Sequence, residues 1–161
     1  LQKLYDRRED SHGMNIEEVI WSLSGEEKTV PRLVNILKSA NSSVLIMSCK
    51  GLLPFIIPFL DDVAEVSEYV IISESLNQEI KDKMLQKGDY YVCERLCYHE
   101  QSHFNRISEC LVIMDNSKMM IISYNKEKDE INAIYSESPS LIAIILRHTR
   151  NELELQAKKI E

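Results

Sequence analysis

The chain has 161 residues, 44% of them hydrophobic, and a formal net charge of −7. That is enough sequence for one domain with a real core, and no apolar run nears the roughly 20 residues of a membrane-spanning helix. Acidic residues outnumber basic ones 26 to 19, which argues against binding a phosphate backbone, since that needs clustered Lys and Arg.

Residues 1–12 place Leu1, Leu4, Tyr5 and Arg8 at helical spacing and predict the end of a linking, dimerising helix. The stretch is charged and amphipathic, unlike a signal peptide. It has no initiator Met, so we expect a piece of a longer protein. Gly13 breaks the helix, and the expected main domain is 13–161. A strand is expected over 17–22, then a helix through 31–40, with Ser24-Gly25-Glu26-Glu27 as its start and Asn41-Ser42 as its stop. The unbroken apolar run of 43–48 predicts a buried strand. A proline-punctuated helix follows over roughly 52–65, then a strand at 68–73 and a helix over 76–87 ended by Gly88. A strand is expected at 89–97 and a polar loop at 98–106. Two adjacent strands follow, 108–114 and 119–124, turning at Asp115-Asn-Ser-Lys118. The last elements are a strand at 131–135 and a long helix from Pro139 towards Lys158. This order predicts an α/β domain with a mixed, partly parallel central sheet flanked by helices.

The segment from Ser108 to Asn125 carries the most chemistry by what it lacks. It resembles half of a phospholipase D site, whose motif reads His-x-Lys-x-x-x-x-Asp followed by Gly-Ser-x-Asn. Aligned on Asp115, the histidine position holds Ser108 and the lysine position Cys110, while Ser123 and Asn125 match the trailing motif. A phosphodiesterase of this type needs the imidazole as nucleophile and the ammonium against the phosphoryl oxygens. With both replaced, no catalytic residue is expected, and the scaffold is expected to bind rather than cleave.

Four further pieces resemble the C-terminal effector domain of the TrmB family of archaeal-type transcriptional regulators. They are Ile20-Trp-Ser-Leu-Ser-Gly25, Ile36-Leu-Lys-Ser-Ala-Asn-Ser-Ser-Val-Leu-Ile46, Cys110-Leu-Val-Ile-Met-Asp115 and Ala133-Ile-Tyr-Ser-Glu-Ser-Pro-Ser-Leu141. The resemblance spans roughly residues 15 to 155. It implies a phospholipase-D-like, catalytically dead domain in a homodimeric regulator, sensing a small-molecule effector. DNA would be contacted only through a winged-helix domain outside this sequence. The family's sugar-binding members carry a further β-rich segment that has no counterpart here, which speaks against a sugar.

Ligands of open α/β sheets bind at the C-terminal ends of parallel strands. The expected ligand-binding residues are accordingly Ser48, Cys49, Lys50, Ser73 and Glu74, with Asp115, Ser123 and Asn125 from the degenerate half-site. Asp115 also reads as turn chemistry with Asn116. A second reading uses Cys93, Cys97, His99, His103 and Cys110 as a soft-metal (Zn²⁺) or redox site, although Cys93 and Cys97 would lie roughly 13 Å apart along a strand. Against it, Cys93 and Cys110 read as small core residues on paired strands, and no cofactor is the primary expectation. His99-Glu-Gln-Ser-His103 matches the zinc-protease pattern in a polar stretch without its helix, and a residual hydrolase is the third reading. The four cysteines are too few and uneven for a secreted disulfide scaffold, so a reducing cytoplasm and no membrane are expected.

Overall fold

The computed structural model describes residues 19–94, 96 and 107–161. One eight-stranded sheet runs through them. β1 (Ile20–Ser24) leads into α1 (Glu26–Lys38), and β2 (Ser43–Ser48) is followed by a 3₁₀ turn (Lys50–Leu52), α2 (Leu53–Ile56) and a second 3₁₀ turn (Ile57–Asp62). Then come β3 (Glu68–Ser73), α3 (Gln78–Met84), β4 (Asp89–Val92), β5 (Ile107–Met114), β6 (Lys118–Asn125), β7 (Glu130–Ser136), α4 (Pro139–Gln156) and β8 (Lys158–Ile160). The strands lie side by side as β1-β7-β6-β5-β2-β3-β4-β8. β2, β3 and β4 are mutually parallel, and every other pairing is antiparallel. The mixed, partly parallel sheet expected from the sequence is the one present.

The sheet divides its side chains by the period-2 rule. Val44, Ile46, Ile71, Cys110, Val112, Met120 and Ile122 face a core shared with Leu33, Ile36 and Leu37 of α1 and Leu52, Leu53 and Ile56 of the β2–β3 crossover. Ile80 and Met84 of α3 close the same side. The alternate residues Ile113 and Met119 meet Ile142 of α4 on the other face, with Leu45, Leu111 and Ile121 packed around them. Helices therefore cover both faces. No helix among the described residues is long and apolar enough to cross a membrane.

Local chemistry explains the boundaries. α1 starts at Gly25, whose φ of +82° suits glycine and whose N–H reaches Asn132 Oδ1 at 3.1 Å, tying the helix start to β7. Glu26 and Glu27 sit in its first turn and Lys38 in its last, both favourable against the helix dipole. Asn77 caps α3 by accepting the Ile80 N–H, and Ser138 caps α4 with Pro139 at its first position. The expected continuous helix over 52–65 is instead two 3₁₀ turns around a single α turn, because Pro54 and Pro58 each remove a backbone donor. The strand expected over 89–97 ends at Val92. The terminal helix ends at Gln156 and gives way to β8, which pairs with β4 and forms the sheet edge.

Candidate functional site at the strand ends

The degenerate half-site lies where β5 passes the end of β2. Ser108 and Cys110 are both buried and share the core face of β5. Cys110 is paired in register with Ser48 and hydrogen-bonded to it. Burial pushes its thiol up to about 12, with the Ser48 hydroxyl pulling slightly the other way. Position 110 thus offers neither a cation nor a ready thiolate. Above Ser108 lies Gly51, in the 3₁₀ turn that follows β2. A Cβ on Gly51 would overlap the Ser108 hydroxyl and come within 2.9 Å of its Cβ. The 3₁₀ turn therefore fills the space that a bulkier side chain at 108 would need. The same point in space lies 3.6 Å from Cε of Lys126, just past the end of β6. An ammonium is thus carried to this corner from a place the motif does not predict. The sequence signal was faint, because Lys126 sits in the charged run Asn125-Lys-Glu-Lys-Asp129 and reads as solvated turn.

Of the other three motif residues, Asp115 lies at the far end of β5, and Ser123 and Asn125 lie across from Glu109 and Ile107, on the opposite face from Ser108. Asp115 follows Met114, which pairs with Val44 at the start of β2 rather than its end. At antiparallel strand rise that places it roughly 24 Å along the sheet from Ser108. Its carboxylate accepts the N–H groups of Asn41, Ser42 and Ser43 at 3.0, 2.7 and 3.0 Å, and the Ser42 hydroxyl at 3.0 Å. Partial burial works to raise its pKa, but these four donors prevail and hold the carboxyl below the usual range. Asp115 and Asn116 have φ of +54° and +53°, a reversal that Asp and Asn tolerate well. Ser123 is opposite Glu109 and faces away from Ser108 and Cys110. Its hydroxyl meets the Asn132 carbonyl at 3.4 Å. Asn125 accepts the Glu127 and Lys128 N–H groups and so closes the β6–β7 turn. Of the eight residues expected to bind ligand, Asp115 lies at the opposite end of β2 from the rest, and Ser123 and Asn125 are turned to the other face from Ser108 and Cys110.

The remaining five do come together, at the C-terminal ends of β2 and β3. Cys49 N–H bonds Glu109 O at 2.9 Å, Lys50 N–H bonds Glu74 Oε2 at 2.7 Å, and Glu74 N–H bonds Ser48 O at 3.2 Å. Ser48 and Ser73 are buried and bonded inward, Ser48 to Cys49 O and Ser73 to Ser75 O and the Tyr90 hydroxyl. Tyr90 also takes the Asn77 N–H at 3.1 Å, so one phenol pins the β3–α3 loop. The two serines build the floor, and Lys50 and Glu74 are the members of this group with exposed or half-exposed charged ends. Beside Glu74 opens a cleft of about 710 Å³ that continues along Val92 of β4 to Lys158 and Ile160 of β8 and the end of α4.

The cysteine–histidine reading is narrowed by the strand order. Cys93 and Cys110 are buried free thiols, but β2 and β3 lie between β4 and β5. They are not on paired strands as expected, and three strand spacings put them roughly 14 Å apart, too far to share one ion. Cys97, His99 and His103, and with them the His-Glu-Gln-Ser-His stretch, fall outside the described residues. Among the described residues no group of three or more His, Cys, Asp or Glu side chains could hold a metal ion. Cys49 is disulfide-bonded and so is not a free thiol for such a site.

No protein-family model matches the chain, and neither does any curated protein. Solved structures do. NucT from Helicobacter pylori superposes with a TM-score of 0.60 at 14% identity, over 84% of this chain and 96% of that one. Nuc, a phospholipase D family member from Salmonella typhimurium, gives 0.55 at 14% identity, over 89% and 98%. TrmBL2, an archaeal chromatin protein described as showing a novel mode of DNA binding, gives 0.57 at 11% identity. That match covers 96% of this chain, which spans 60% of TrmBL2's length. At these identities the likeness concerns architecture alone, and the architecture is that of phospholipase D.

Proposed function

We propose that this chain is a non-catalytic, ligand-sensing domain of a TrmB-like regulator, built on a phospholipase-D-like scaffold. The observation that carries the reading is the corner where β5 meets β2. Ser108 stands where the motif has its nucleophile and is packed beneath Gly51, and Cys110 stands where it has its cation and is a buried neutral thiol. Similarity to TrmBL2 over 96% of this chain supports the regulatory branch of the fold. With a net charge of −7, DNA would be contacted through a domain outside this sequence.

In this reading the chain pairs with a second copy, and a small molecule at the C-terminal ends of β2, β3 and β4 biases the arrangement of the pair. Such control requires the ligand to bind one arrangement better than the other. A thermal-shift screen against sugars, nucleotides, phosphates and divalent metals, run beside light scattering for oligomeric state, tests it. We expect a dimer, and stabilisation by at least one class of compound, for instance about 2.7 kcal/mol at a hundredfold excess over Kd. A monomer that no compound stabilises contradicts the proposal.

A further inference from the structure

The cleft beside Glu74 has a chemical bias of its own. Its walls are apolar, and Leu76 and Leu155 are 58% and 80% exposed, among the most exposed large hydrophobic side chains described. Val92 and Ile160 line it as well. Among the described residues two carboxylates face it. Glu74 is fixed by the Lys50 N–H through Oε2, and Glu94 has neither a hydrogen bond nor an ion pair with any described residue. A third source of negative potential is independent of both. Leu155 and Gln156 belong to the last turn of α4, an 18-residue helix with no basic residue in that turn. The carbonyl end of a helix carries roughly half a negative charge and accepts hydrogen bonds. Against these, among the described residues lining the cleft, stands one cation, Lys158, placed beside Val92 by the β4–β8 register.

We propose that this cleft binds an organic ammonium with an apolar body. The alkyl part would cover Leu76 and Leu155, and the charged head would lie between Glu94, Glu74 and the end of α4. Apolar walls with a few convergent polar groups are the usual make-up of a small-molecule site. The overall charge of −7 would also draw a cation towards it. This inference rests on the ligand-sensing reading and names the class of ligand for it.

The test uses the full chain and four probes of equal length, titrated by calorimetry or by amide chemical shifts: hexylamine, hexan-1-ol, hexanoate and 6-aminohexanoate. Hexylamine is expected to bind at least about tenfold tighter than the other three, because only it pairs with the carboxylates without a repelled or unpaired group. Glu94→Gln should weaken hexylamine about fivefold or more and Leu155→Ser should weaken it too, while the remote Glu130→Gln leaves it unchanged. Equal or tighter binding of the alcohol, the acid or the zwitterion overturns the ammonium assignment. If that binding is still lost in Leu155→Ser, the sensing reading survives it. Binding of no probe, or hexylamine binding that ignores Glu94→Gln, overturns the inference as well, and the broader screen then decides the sensing reading separately.

Discussion

Gly51→Ala is expected to destabilise the fold by about 3 kcal/mol, at the upper end for overpacking a closed site. The cost does not come from backbone conformation, because Gly51 does not lie in the left-handed region. It comes from the absence of room, since the added methyl would meet the hydroxyl and Cβ of Ser108 on a strand locked between β2 and β6. The Ser108 side chain is buried on a strand paired with β6 and anchored to the end of β2 through the Cys49 N–H to Glu109 O bond, so neither wall yields easily. The signature is in the double variant. Gly51→Ala combined with Ser108→Gly removes both clashing atoms and should recover most of the loss, less about 1 kcal/mol for glycine in a strand. Urea unfolding of the two single variants and the double one measures it. Additive losses would mean that the 3₁₀ turn and β5 are not in contact, and the case for a filled half-site would go with them. By the same geometry Ser108→His, which restores the motif, should cost stability.

The second large effect is at Asp115. Its carboxylate joins the β5–β6 reversal to the loop that enters β2, and Asp115→Ala leaves the N–H groups of Asn41, Ser42 and Ser43 without their acceptor. Charge-assisted bonds of this kind contribute about 1.5–3 kcal/mol each when buried, and less at a half-exposed position such as this one. Alanine also tolerates a φ of +54° poorly. Together these predict a loss of about 3 kcal/mol. Asp115→Asn keeps the backbone preference and one acceptor oxygen, so it should lose about half as much. The pH dependence follows from the direction of the shift. A carboxyl held below its ordinary value stabilises the fold fully above that value, which is 3.8 for Asp. The contribution drains away as pH falls from about 5 towards the folded-state pKa. The wild type should therefore lose stability on acidification more steeply than Asp115→Asn. Parallel acid limbs in denaturation from pH 6 to pH 2.5 would show that the charge does no such work.

The parts of the fold written in periodicity were legible beforehand. Ser43–Ser48 and Glu68–Ser73 are apolar runs and are the parallel centre of the sheet, and Met114 and Met119 flank a reversal that Asp115-Asn116 announces. β8 was not legible. Lys158–Ile160 has no strand pattern and exists because α4 delivers it to the free edge of β4. The site was read less well, for a reason of parity. Ser123 and Asn125 match a motif in one dimension, but alternate residues of a strand face opposite sides, and the register assigns them away from Ser108. Asp115 and Asn116 form the reversal that their residue types announce, and the carboxylate of Asp115 is engaged at the start of β2 rather than at its end. Lys126 went unseen because only the β6–β7 turn brings it over Gly51. The cleft was invisible for the same reason as β8, which forms one of its walls.

The decisive measurement is turnover of bis(4-nitrophenyl) phosphate by the purified chain. With a serine wedged under Gly51 and a neutral thiol where the phosphate-facing ammonium belongs, release of 4-nitrophenolate should not exceed the buffer rate at any pH between 5 and 9. Hydrolysis above that rate, abolished by Ser108→Ala, would show that this scaffold still cuts phosphodiesters, and its loss in Lys126→Ala would show that Lys126 has taken over the missing cation's task.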